Sequence, residues 1–197
     1  MKPSTQAFVV LLSILLYGLP SYAKSPLVQR AVETLQGGGA EVASSPESVE
    51  VAFSPRGGAT DLVIKAIASA KSEICVAAYS FTSRPIARAL VEAHKAGVDV
   101  RVVVDHSQIE KDSPSVIDFL VAQEIPVRAD IVHKLQHDKY MVVDKKTVET
   151  GSFNYSAAAE HKNSENVIVL WNGPELAALY AKNCQSLWDK AEPYKQQ

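Results

Sequence analysis

Residues 137–154 read HDKYMVVDKKTVETGSFN, and this stretch decides the fold. Two short apolar blocks flank Asp144-Lys145-Lys146, which predicts a hairpin: a strand over His137–Val143, a tight turn, and a second strand over Thr147–Thr150. On a strand, successive side chains point to opposite faces. His137 and Lys139 therefore share a side, and Met141 and Val143 continue that side away from the polar end. The returning strand brings Gly151-Ser152-x-Asn154 back beside them, with Ser152 and Asn154 alternating onto a common face. An imidazole, an ammonium, a hydroxyl and a carboxamide thus gather at one end of the hairpin. That set suits a phosphodiester. Lysine neutralises a non-bridging oxygen, and Ser and Asn donate hydrogen bonds to it. A neutral imidazole attacks phosphorus or moves a proton near neutral pH. Gly151 lets backbone come close to a substrate.

Outward from the hairpin, strands and helices alternate. Strands are expected at Val49–Phe53, Glu73–Phe81, Val98–Asp105, Val127–Asp130 and Glu165–Trp171. Helices are expected at Ala59–Lys71, Arg84–Ala96, Ser115–Gln123 and Pro174–Ala191. Pro85 falls in a first turn, Gly97 is a stop, and Ser113 or Ser115 is an N-cap. A βαβαβ beginning followed by a hairpin predicts an α/β fold, a mixed β-sheet flanked by helices on both faces.

The start of the chain reads differently. Met1-Lys2 is a short positive start, Ala7–Leu19 is a thirteen-residue apolar run, and Ser21-Tyr22-Ala23 has the small residues of a cleavage site. Residues 1–23 are therefore expected to be a signal peptide, since that run falls short of the roughly 20 residues needed to span a bilayer. Residues 24–48 are an N-terminal arm, with a helical piece at Leu27–Leu35 and a break at Gly37-Gly38-Gly39. Residues 49–197 form the catalytic domain. Export permits a disulfide between Cys75 and Cys184. Their apolar settings nonetheless favour two free core thiols.

The net charge is −2, so the chain has no general polyanion-binding character and any phosphate site must be local. Lys134, Lys145, Lys146 and Lys162 crowd near the signature as a solvated cluster or as DNA-backbone contacts, with Arg84 and His161 near the same rim. His94 and His106 read as surface residues. Tyr79, Phe81, Phe153 and Tyr155 could stack on bases but read as core or pocket wall. His133 and His137 lie four apart beside Asp138. The segment reads as strand, lacks the Glu of an HExxH helix and offers no clear third ligand, so no metal or other cofactor is expected.

His137-x-Lys139-x4-Asp144-x6-Gly151-Ser152-x-Asn154 resembles the HKD signature of the phospholipase D superfamily. FSP at 53–55, AAYSFTS at 77–83, ALVEAHKAGVDVRVVVD at 89–105 and ENVIVL at 165–170 are similar to its short bacterial Nuc-type endonucleases. The resemblance implies a metal-independent phosphodiesterase in which two histidines face each other: one forms a phosphohistidine, the other protonates the leaving oxygen and then activates water. It implies that Lys139, Ser152 and Asn154 bind phosphate. It further implies that Glu165 orients the histidine and holds its tautomer, and that Asp144 belongs to the catalytic motif in a more structural than chemical role. One signature supplies one histidine, so a homodimer with the site on its two-fold axis is expected. DNA is the expected substrate, with RNA cleavage left open, in the periplasm or outside the cell. No stable membrane association is expected after signal cleavage. A phospholipase D-type lipid activity and a catalytically silent nucleic-acid-binding module are the alternatives. Length and the single motif count against the first, and the intact signature against the second.

Overall fold

The computed structural model describes residue 42, residues 44–109 and residues 115–195. The expected signal peptide, the helical piece at 27–35 and the capping candidate Ser113 lie outside the described residues. Eight strands form one sheet: β1 (Ser48–Ser54), β2 (Glu73–Ala78), β3 (Asp99–Asp105), β4 (Val127–Asp130), β5 (Lys139–Val143), β6 (Thr147–Gly151), β7 (Glu165–Trp171) and β8 (Glu192–Pro193). Their order across the sheet is β1-β7-β6-β5-β2-β3-β4-β8. The β2–β3 and β3–β4 pairs are parallel and every other pair is antiparallel. The sheet is thus mixed, as the change of rhythm in the sequence predicts.

The helices are α1 (Ala59–Ala68), α2 (Arg84–Lys95), α3 (Val116–Ala122), α4 (Ala157–His161) and α5 (Pro174–Lys190). Helix α2 has Pro in its first turn, and the chain after it turns at Gly97 with φ 93°. Ser115, rather than Ser113, caps α3. Its hydroxyl accepts from the Asp118 N–H while the Asp118 carboxylate accepts from the Ser115 N–H, a reciprocal capping box. Two elements escape the sequence reading. Helix α4 is too short to show a periodicity and is capped by Ser156. Strand β8 adds a two-residue edge to β4.

Side-chain alternation builds two cores of unequal cover. Val76, Val100, Val102, Val104, Met141, Val143, Val167 and Val169 face α1, α2 and α3. Ala77, Val103, Tyr140, Val142 and Val148 face α5, which supplies Ala177, Cys184 and Leu187. Helix α5 packs on β2, β3, β4, β5 and β6. On β1, Ala52 and Ser54 are buried, whereas Val49, Val51 and Phe53 are 48%, 53% and 60% exposed. Those three alternate onto the α5 side of the sheet, beyond that helix.

One expectation is overturned. Cys75 and Cys184 are not free thiols but a disulfide, with Cα atoms 6.4 Å apart and a sequence separation of 109. Both residues are apolar-set, as the sequence reading holds. The missing fact is that the odd-numbered face of β2 and the inner face of α5 are one layer, so the two side chains meet. The bond closes a long loop and ties α5 to the sheet centre.

Opening that bond with a reductant, or by Cys75→Ala with Cys184→Ala, is expected to cost about 2–5 kcal/mol of folding stability. Urea unfolding with and without dithiothreitol measures it. Identical midpoints in both conditions would mean the folded protein carries no such bond.

Candidate active site

The site is assembled at the end of the hairpin away from its turn. Strand β5 begins at Lys139, two residues later than the sequence reading has it, and His137 stands in the loop just before. Lys139 is buried and His137 is exposed. The Lys139 ammonium donates to the His137 carbonyl oxygen at 2.6 Å. Burial pulls its pKa below the ordinary lysine value, opposed by the negative charges of Asp138 and Glu165. The expected alternation holds from Lys139 onward: Met141 and Val143 continue its face into the main core.

Ser152 and Glu165 are joined directly. The Ser152 hydroxyl donates to Glu165 Oε2 at 2.6 Å and accepts from the Asn166 backbone N–H at 3.1 Å. The Asn163 amide donates to Glu165 Oε1 at 3.0 Å. Both carboxylate oxygens are therefore engaged. Among the described residues no hydrogen bond joins Glu165 to His137, the contact that the family resemblance implies. Asn154 carries a buried side-chain oxygen with no hydrogen-bond partner among the described residues, so that group is uncommitted. Gly151 is needed for a reason other than the one expected. A Cβ there would collide with the Asn166 carbonyl, so what comes close is β7.

Asp144 lies at the other end of the hairpin. Its carboxylate accepts from the backbone N–H groups of Lys71, Ser72 and Glu73 and from the Ser72 hydroxyl, at 2.8–3.1 Å. Burial opposes its charge, but these hydrogen bonds outweigh it and hold the carboxyl below the usual range. The structure gives Asp144 a fastening place and none in the chemistry. Lys145 lies at that same turn, paired with Glu73 at 3.1 Å, and Lys146 follows it, so neither is beside His137. Lys134, His161, Lys162 and Arg84 are all exposed. His133 is held by Asp130, Nδ1 to Oδ2 at 2.7 Å.

Tyr79 is the residue the sequence reading left aside. Strand β2 ends at Ala78, three residues short of the expectation, and the Tyr79 N–H donates to the Asp138 carbonyl at 2.9 Å. The phenol ring then lies 4.5 Å from the His137 ring, centroid to centroid, and 5.0 Å from the Lys139 ammonium. A groove of about 400 Å³ opens beside these groups, with Thr150 and Gly151 on one side and Tyr180 and Asn183 of α5 on the other. An attacking imidazole, a buried cation and polar groups around one open groove can bind a phosphodiester and cleave it.

A family model described as cardiolipin synthase, PLD-like domain, matches residues 63–188. The chain belongs to the phospholipase D superfamily. It is 35% identical to phospholipase D of Rickettsia conorii over 181 residues, covering 90% of each protein. It is 30% identical to the mitochondrial cardiolipin hydrolase of Homo sapiens over 161 residues, covering 82% of this chain and 63% of that one. Among solved structures, Nuc from Salmonella typhimurium, described as a phospholipase D family member, is 45% identical with a TM-score of 0.71, over 76% of this chain and 99% of that one. Superfamily membership makes the chain a phosphodiester hydrolase, and the resemblance to Nuc stands.

Beneath the Gly151–Asn154 segment lies a second group that sequence alone did not single out. Glu149 is fully buried, paired across β6 with Met141 and Val169, and accepts from the Tyr155 hydroxyl at 2.5 Å. Burial pushes its carboxyl up to about 8, against the pull of that hydrogen bond. A carboxyl raised this way favours the folded state most when protonated. Its contribution is complete below the unfolded value near 4.5 and is lost as pH rises through about 8. Glu149→Gln keeps an acceptor for Tyr155 and removes the titration. The variant is expected to gain stability relative to wild type between pH 5 and 8.5, by at most about 1.4 kcal/mol per pH unit. Denaturant unfolding across that range checks it, and a pH-independent difference would exclude the buried, protonated carboxyl.

Proposed function

We propose that this chain is an exported, metal-independent nuclease that cleaves DNA with little sequence preference, through two copies of His137. The observation that carries the reading is the placement of His137 and Lys139 together at one open groove, with Glu165 near enough for its charge to act on Lys139 and Ser152 bonded to Glu165. The 45% identity to Nuc supports a nuclease, and the signal-like residues 1–23 support export. In the proposed reaction one His137 attacks phosphorus and forms a nitrogen–phosphorus bond while the bond to the leaving oxygen breaks. The second His137, protonated, gives that oxygen its proton. Now neutral, the second imidazole takes a proton from water, whose oxygen attacks phosphorus and releases the first histidine. The Lys139 ammonium and the Asn154 amide N–H group hold the non-bridging oxygens, while the Ser152 hydroxyl, expected to join them, is spent on Glu165. A lipid reading has its own support, since curated relatives carry the names phospholipase D and mitochondrial cardiolipin hydrolase.

The second histidine belongs to a second copy of the chain, docked on the less covered face of the sheet. Val49, Val51 and Phe53 form an exposed apolar stripe there, and Leu179 of α5 is 38% exposed on the same side. The stripe ends at the strand end that carries the site, because Phe53 pairs with Asn166 and Ser54 with Glu165. A two-fold axis next to that stripe places each residue opposite its own copy.

Plasmid DNA incubated with the protein in EDTA is expected to be nicked and cut, and His137→Ala to reduce the rate at least a thousandfold. Loss of all wild-type cleavage in chelator would contradict the histidine mechanism. Release of headgroup from phosphatidylcholine vesicles without DNA cleavage would establish the lipid reading instead.

Sedimentation is expected to show a dimer, and Val51→Asp with Phe53→Asp a folded monomer of greatly reduced activity. A wild-type monomer with full specific activity would remove the two-copy site.

A further inference from the structure

We infer that Tyr79 is a positioning residue that sets the His137 imidazole and the Lys139 ammonium against the two sides of one site by holding both to a single ring. The inference rests on the role proposed above for His137 and adds to it a group outside the signature.

The ring is anchored through its backbone. Its backbone N–H is bonded to the Asp138 carbonyl, which places Tyr79 between residues 137 and 139 of the facing segment. Its hydroxyl accepts from the Gln108 amide at 3.0 Å, a further contact at the far end that the ring's packing on His137 and Lys139 does not depend on. Against this fixed ring lie two groups with few other restraints. The His137 imidazole is exposed and receives no hydrogen bond among the described residues; its ring contact with Tyr79, at 4.5 Å and tilted 56°, is what limits its rotation. The Lys139 ammonium is buried, and among the described residues the His137 carbonyl and the Tyr79 ring are what meet it at close range. The negative face of an aromatic ring attracts a cation, the more so where water is scarce.

A nucleophile must present the same nitrogen, at the same angle, each time a phosphorus atom arrives. Misplacement by about 1 Å costs on the order of a hundredfold in rate. An exposed imidazole with free rotation would spend most of its time elsewhere. The Tyr79 ring removes that freedom without using a ring nitrogen, which a hydrogen-bonded orienting group would occupy. Both nitrogens stay available for the nucleophilic and proton-transfer roles. Without the ring, the Lys139 charge keeps the His137 carbonyl and the longer-range charges of Asp138 and Glu165, whereas the His137 rotamer depends mainly on this ring. Loss of the ring therefore falls on kcat more than on KM.

The test uses full-length oxidised protein and bis(p-nitrophenyl) phosphate, a small diester that reports on the site whether the natural substrate is nucleic acid or lipid. Tyr79→Leu is expected to lower kcat at least tenfold with KM changed less than threefold, and Tyr79→Phe or Tyr79→Trp to keep kcat within threefold. In wild type, the His137 ring protons, assigned by their absence in His137→Ala, are expected upfield of free histidine from the Tyr79 ring current. They return to the free position in Tyr79→Leu. A Leu variant with wild-type kcat, or wild-type His137 signals already at the free position, overturns the inference. So does a Phe variant as impaired as Leu, because the Gln108 bond rather than the ring would then matter. If His137→Ala hydrolyses the diester as fast as wild type, the reading of His137 itself has failed, which is a separate result from a normal Tyr79→Leu beside an inactive His137→Ala.

Discussion

The register between β2 and β5 governs what meets what at the site, and Asp144 holds that register from the far end. Its carboxylate gathers the N–H groups of Lys71, Ser72 and Glu73, and its own N–H donates to the Glu73 carbonyl. The hairpin turn is thereby tied to the first residue of β2. From there the pairing runs Ile74 with Val143 through to Ala78 with Lys139. A slip of one residue would send Lys139 to the α5 face and Tyr140 into the main core. It would also carry Asp138 away from Tyr79. The motif's aspartate is thus remote from the chemistry, yet the geometry of the reactive end follows from it. Asp144 and Lys145 both have φ 52°, the left-handed conformation at the two central positions of the turn that the Lys146 N–H closes on the Val143 carbonyl, and one that Asp tolerates better than most residues.

The unequal cover of the two sheet faces follows from how the chain distributes its helices. Helices α1, α2 and α3 spread over one face and bury a continuous aliphatic layer. Among the described residues the other face carries the single helix α5. One helix is about 10 Å wide and an eight-stranded sheet more than three times that, so strands at the β1 edge keep apolar side chains in solvent. Helix α5 has little lateral support, and its link through Cys184 to Cys75 at the sheet centre supplies it. Tyr140 and Asn183 add a side-chain hydrogen bond near the groove, so α5 is held both at mid-sheet and beside the site.

What the sequence made legible is what depends on local periodicity. The hairpin, the shared face of Lys139, Met141 and Val143, the mixed sheet and four of the helices all follow from spacing along the chain. What it concealed depends on one element's position against another. Cys184 reads correctly as buried and Cys75 is partly buried, but their pairing needs the rotation of α5 over β2. Tyr79 reads as strand or wall, and its contact with His137 needs β2 to stop at Ala78. Glu149 sits in TVETG with no apolar pattern strong enough to mark it as core, and only its register between Met141 and Val169 buries it. Gly151 was noticed for its lack of a side chain, while the backbone that uses the space comes from β7.

The electrostatics of Lys139 connect these placements to binding. Burial disfavours the charged ammonium, and its supports are the His137 carbonyl, the Tyr79 ring and the more distant charges of Asp138 and Glu165. None is a carboxylate in direct contact, which would neutralise the cation and compete with a substrate. Glu165 is kept from that role by Ser152 and Asn163, which engage both its oxygens. The ammonium is therefore left with a pKa below its ordinary value and with an unfilled demand for an anion at the groove. In the proposed function a phosphodiester oxygen meets that demand and raises the proton affinity of Lys139. On the proposed reading, one buried cation without a counterion in direct contact lets a chain with net charge −2 hold a phosphodiester at a single point, where other proteins use a broadly basic surface.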